Sequence, residues 1–211
     1  MTYINKKVFL ILFLLNSCAH LEYREIYDLA KNSIVGIEDL KIDSEFLENR
    51  QSSFIKIKLG RTRIAIFSLS SYSGDIFTWV GANNEKIITK NGRIIATNEL
   101  DYNLEILTKS QIGLSSNENS QYEVLIALSE PSATISQLIT VNKLENQTLS
   151  REQNYLAEKY LEEFKTKTYK WSGTNYYWID QKSRLPLKTI ATPHPLLGQI
   201  EIDYFYKYKK Q

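Results

Sequence analysis

Seven residues, Thr89-Lys90-Asn91-Gly92-Arg93-Ile94-Ile95, constrain the fold of this chain more than any other stretch. Asn-Gly accepts positive φ at both central positions of a two-residue hairpin turn, whose twist suits two flanking antiparallel strands. Ile87 and Ile88 are therefore expected to run antiparallel to Ile94 and Ile95.

The same alternation of apolar and polar residues recurs along most of the chain. Phe54, Ile55, Ile57 and Leu59 lead to Gly60-Arg61, and Ile64 to Leu69 returns, which reads as a hairpin. Ile76–Val80 and Lys86–Thr89 continue the pattern across Gly81-Ala82-Asn83-Asn84. Tyr122–Leu128 and Ala133–Val141 are expected strands either side of Pro131, and the polar stretch 142–150 reads as a loop.

Leu156–Phe164 suits either a helix or a long strand; propensity favours the helix, the β context around it favours the strand, and we assign strand. Tyr176–Ile179 and Leu185–Ile190 flank a turn at Asp180-Gln181-Lys182-Ser183, and Gln199–Tyr208 alternates as a half-buried strand. With many antiparallel strands and no βαβ rhythm, the expected fold is mainly β: an antiparallel curved sheet or β-sandwich. One short helix, over Leu21–Ser33, precedes it.

The amino terminus carries a different signal. Lys6-Lys7, the eight apolar residues Val8–Leu15, and Leu15-Asn16-Ser17-Cys18 follow the order of an export peptide ending in a lipobox. Eight residues are too few to cross a bilayer, which takes roughly 20. Cys18 is the only cysteine in the chain, so no intrachain disulfide forms, and an exposed thiol in an oxidising compartment has no partner. The expected organisation is a signal peptide over 1–17 and a single β-rich domain over 18–211, with 18–50 as anchor-proximal linker and helix. Diacylglycerol and an acyl chain on Cys18 would then hold the protein on a membrane. Ala19 follows the cysteine where enteric inner-membrane retention uses Asp, which favours the outer membrane.

Cleavage removes Lys6 and Lys7 and no acid, leaving 24 basic against 24 acidic residues and no net charge. A nucleic-acid binder would concentrate basic residues on one face, and this charge is balanced and interspersed.

Chemistry is sparse. Of two histidines, His20 abuts the anchor and His194 lies between Pro193 and Pro195; neither has sequence neighbours to build a metal site or a nucleophile–base pair, so no metal and no catalytic set is expected. Glu38-Asp39 and Glu162-Glu163 are adjacent, and adjacent strand residues point to opposite faces. Trp171, Tyr176 and Trp178 are candidate aromatics for contacting a glycan or a partner protein.

Between Phe54 and Leu107 the features run in a specific order: a strand pair, Trp79, the Thr-Lys-Asn-Gly-Arg hairpin, then Leu100 and Leu104-Glu105-Ile106-Leu107. With the lipobox before them and Tyr177-Trp178-Ile179-Asp180 near the end, the sequence resembles the YjbF/GfcB family of outer-membrane lipoproteins. The resemblance, firm over 50–107 and 171–206, implies a periplasm-facing accessory of capsule or exopolysaccharide export rather than an enzyme. Its implied partners are the polysaccharide-secretion proteins and the polysaccharide. An alternative of another class is a lipid or acyl-chain carrier like the lipoprotein-sorting proteins, which would need an open apolar pocket inside the sheet. A polysaccharide-modifying enzyme would need two carboxylates converging in a cleft.

Overall fold

The protein is described by a computed structural model covering residues 42–59, 63–108, 114, 120–151, 153–167 and 169–207. The signal peptide, Cys18, His20, Glu38-Asp39 and the helix expected over Leu21–Ser33 lie outside these residues. The described chain starts beside a one-and-a-half-turn helix, Ser44–Glu48, capped by the Asp43 carboxylate, which accepts from Phe46 N at 2.8 Å.

Thirteen antiparallel strands follow: β1 (Phe54–Leu59), β2 (Arg63–Ser73), β3 (Ile76–Val80), β4 (Lys86–Lys90), β5 (Arg93–Asn98), β6 (Leu104–Ile106), β7 (Ser120–Leu128), β8 (Ala133–Lys143), β9 (Gln147–Ser150), β10 (Asn154–Thr166), β11 (Ser172–Asp180), β12 (Pro186–Ala191) and β13 (Ile200–Phe205). Leu156–Phe164 is indeed strand, inside β10. The stretch read as a loop over 142–150 is corrected: β8 continues to Lys143 and β9 occupies 147–150.

An open curved sheet or sandwich is also corrected. Neighbours run β11-β12-β13-β1-β2-β3-β4-β5-β6-β7-β8-β10, and β10 pairs in turn with β11, so twelve strands close into a barrel. Closure depends on β10 having partners on both edges, with Tyr160 opposite both Lys143 and Tyr177. Side-chain alternation reports which face a residue takes and carries no signal for which strands meet at the seam.

A round barrel of twelve strands would leave a lumen, since eight strands are about as many as side chains alone can fill. Here opposite walls touch. The Asn91-Gly92 turn, with φ of 50° and 82°, places the Gly92 carbonyl where Thr189 Oγ1 (2.9 Å) and Tyr204 OH (3.0 Å) both donate to it across the interior. Trp79 meets Tyr204 edge-on at 5.9 Å, and its indole N–H donates to Thr89 Oγ1 at 2.9 Å. Trp79, Tyr160, Tyr177 and Tyr204 are each at most 1% exposed, and the cavity beside Arg93 and Tyr177 measures about 20 Å³, room for about one water. The walls meet across the middle of the barrel among the described residues, and no observation supports the carrier alternative.

Gly92 is a position where glycine is required. A Cβ there would stand 3.0 Å from Thr189 Oγ1 and 3.1 Å from Pro186 Cβ, on a backbone that L side chains rarely adopt. We expect Gly92→Ala to lower stability by about 1–3 kcal/mol. Gly74→Ala, also at positive φ but with open space around it, should cost less; thermal melts of the two variants decide the point.

Outside the core the pattern inverts. Lys56, Lys159, Lys188, Glu201 and Asp203 occupy outward positions, the reverse of the apolar outer band of a membrane-spanning barrel. Among the described residues no helix is long and apolar enough to cross a membrane.

Candidate functional site

The interior and the outer wall offer different chemistry. Inside, Arg93 Nη1 donates to Glu162 Oε2 at 2.6 Å and to Tyr122 OH at 3.3 Å, while Nη2 donates to Gln137 Oε1 at 3.1 Å. Asn175 Nδ2 donates to the other Glu162 oxygen at 2.7 Å, and Asn175 Oδ1 accepts from Thr192 N at 2.9 Å. Burial works against the Arg93 charge, but the Glu162 carboxylate outweighs it and holds the guanidinium above its usual range. Burial pushes the Tyr122 phenol up to about 12 against the pull of Arg93. Each charge has its partner, and this network ties strands β5, β7, β8, β10 and β11 together. Glu163, next in sequence, faces solvent, as alternation requires.

A second cluster joins β8, β10 and the β11–β12 turn. Glu158 accepts from Lys143 Nζ at 2.7 Å, from Tyr160 OH at 2.8 Å and from Arg184. Burial tends to raise its carboxyl, and the three donors prevail, bringing it down to about 2. A lowered folded-state pKa gives stability that is present above the unfolded value of about 4.3 and is lost as pH falls toward 2. Glu158→Gln should therefore flatten the acid limb of the melting temperature between pH 5 and 2, measured against wild type.

The outer wall holds the groove. At its β9 end β10 runs past the barrel, and the β9–β10 hairpin lies over β11 and β12. Leu149 and Tyr155 pack there on Ala157, Trp178 and Leu187, and Trp178 Nε1 donates to Gln147 Oε1 at 2.9 Å. At the hairpin tip, Arg151 Nη1 donates to the Tyr204 carbonyl and Nη2 to the Leu187 carbonyl, both at 2.8 Å, and Nη2 also reaches Asp203 Oδ1 at 3.0 Å. Those two carbonyls lie just past the last paired residues of β12 and β13, so Arg151 caps the ladder where the strands part. Under the hairpin is an open groove of about 730 Å³, within the usual size of small-ligand sites, lined by Lys56, Arg151, Lys188, Asp203 and Phe205.

The three candidate aromatics separate. Trp171 is 8% exposed and packs edge-on against Phe164, 5.1 Å away, in the main core. Tyr176 and Trp178 point outward, and Lys159 Nζ stands 5.0 Å from both ring centres. Trp171 precedes β11 while the other two sit on its outer face, a division that their closeness in sequence conceals. Arg151 drew no attention in the sequence because it lies in a polar stretch without periodicity. His194 is fully buried and stacks on Tyr102 at 5.3 Å; burial pushes its imidazole down against the Glu130 carbonyl. Among the described residues no three His, Cys, Asp or Glu side chains converge as metal ligands would.

Residues 27–205 match the model of a family described as the group 4 capsule polysaccharide lipoprotein GfcB, YjbF, a span that contains all thirteen strands. Among solved structures, that of the hypothetical lipoprotein YmcC from Escherichia coli (K12) is similar, with a TM-score of 0.69 and 16% identity over 90% of this chain and 98% of that one. That likeness concerns the fold. A search of curated proteins finds no significant match.

Proposed function

Because the chain belongs to the YjbF family of group 4 capsule polysaccharide lipoproteins, we propose that it is a lipid-anchored, non-catalytic accessory of polysaccharide export or assembly. Cys18 holds it at the outer membrane, facing the periplasm, where it works through the secretion proteins and the polysaccharide itself. The observation that carries this reading is the family match across the whole barrel. The lipobox at Leu15-Asn16-Ser17-Cys18 supplies the attachment point, and two or more acyl chains suffice for stable anchoring. A barrel with a filled interior and a polar outer wall offers its surface to partners.

The test is the amount of surface polysaccharide on cells carrying wild-type protein, Cys18→Ala, or no gene. Loss in both altered strains is expected. Normal polysaccharide in the deletion strain would overturn the reading, and loss in the deletion alone would show that the barrel works without its anchor.

A further inference from the structure

The strand registers set five outward side chains in one row across the barrel wall. Lys159 on β10 lies opposite Trp178 on β11, Trp178 opposite Lys188 on β12, Lys188 opposite Asp203 on β13, and Asp203 opposite Lys56 on β1. Five neighbouring strands make this row about 19 Å long. Trp178 is its foundation: it is 6% exposed, and the ammonium groups of Lys159 and Lys188 stand 5.0 and 5.9 Å from its ring centre. The β12–β1 end of the row opens into the groove under the β9–β10 hairpin.

Charge decides what that groove takes. Lys56, Arg151 and Lys188 line it against the single carboxylate of Asp203, which lies 3.7 Å from Lys56 and 3.0 Å from Arg151. Lys188 is ion-paired with Glu201, which stands outside the groove lining. Counting Glu201 beside Lys188, three cations face two carboxylates, a local excess of one positive charge on a chain that carries 24 basic and 24 acidic residues after position 17. The side chains of these cations are only 14–26% exposed. Recessed charges act through a lower dielectric and are screened less than those on an open surface.

We propose that this groove binds a segment of anionic polysaccharide lying across strands β12 to β1 beside the β9–β10 hairpin, its acidic groups meeting Lys56 and Lys188. This rests on the proposed role in polysaccharide export and names the ligand chemistry of that role. A flat anionic membrane would recruit fully exposed lysines. A groove overhung by a hairpin admits a chain.

The test uses the full lipoprotein in detergent and affinity electrophoresis through gels containing polygalacturonate, chondroitin sulfate or neutral dextran, with vesicles of anionic phospholipid as a fourth probe. Retardation by the acidic polysaccharides and not by dextran is expected; retention with polygalacturonate alone assigns a carboxylated glycan, and with chondroitin sulfate alone a sulfated one. Lys56→Gln and Lys188→Gln should each weaken binding by about tenfold, and the pair by more. Lys165→Gln, exposed on β10 away from the row, should leave it unchanged. Equal retardation by dextran, undiminished binding by the double variant at an unchanged melting temperature, or binding to vesicles alone would overturn the site. Polysaccharide lost in the deletion strain but normal with the double variant would overturn the site while sparing the export role.

Discussion

Arg93→Met is expected to lower the stability of the barrel by about 3–5 kcal/mol, because it leaves the Glu162 carboxylate charged and unpaired in the core. Glu162 is completely buried, and Arg93 supplies the only full opposite charge within its hydrogen-bond network among the described residues. Glu162→Leu should cost a similar amount, since it leaves the buried guanidinium without its counter-charge and Asn175 without its acceptor. The double variant Arg93→Met/Glu162→Leu should recover much of the loss, because apolar groups of similar volume often replace a buried ion pair without penalty. Urea denaturation of the four proteins measures the coupling directly. Additive losses would show that the two side chains do not act as a pair.

Trp79→Ala should produce a loss of similar size, about 3–5 kcal/mol. Trp79 is 0% exposed, sits 5.9 Å from both Phe77 and Tyr204, and bridges β3 to the opposite wall. Its removal opens a cavity where two walls press together and leaves the Thr89 hydroxyl without its indole donor. Trp79→Phe keeps most of the ring volume and forfeits only the N–H, so its cost should be nearer 1 kcal/mol. The ratio of the two losses, read from chemical denaturation, separates packing from hydrogen bonding. Equal losses would place the whole effect in the hydrogen bond.

Local geometry was written plainly in the chain. The Asn91-Gly92 turn, the hairpin around Asp180–Ser183, in which Asp180 Oδ2 accepts from Ser183 N at 2.8 Å, and the strand character of 154–166 all follow from turn chemistry and alternation. Alternation also told that Glu162 and Glu163 face opposite ways, and it did not tell that Glu162 meets Arg93, 69 residues away. Of the candidate site, Tyr176 and Trp178 were visible as aromatics, whereas Arg151, Lys56 and Lys188 looked like ordinary surface charge until the strands were placed side by side.

The antiparallel β character and the family were legible in the sequence alone, because each is carried by neighbours within a few residues or by a run of them. Only the tertiary structure decided that twelve strands close through β10, that the walls collapse onto the Gly92 carbonyl, and that cations from β1, β12 and the β9–β10 hairpin share one groove. Those features depend on pairings between residues as much as 151 positions apart, as Phe54 is from Phe205. The period of a strand fixes which way a side chain points, and the partner across the ladder fixes what it meets.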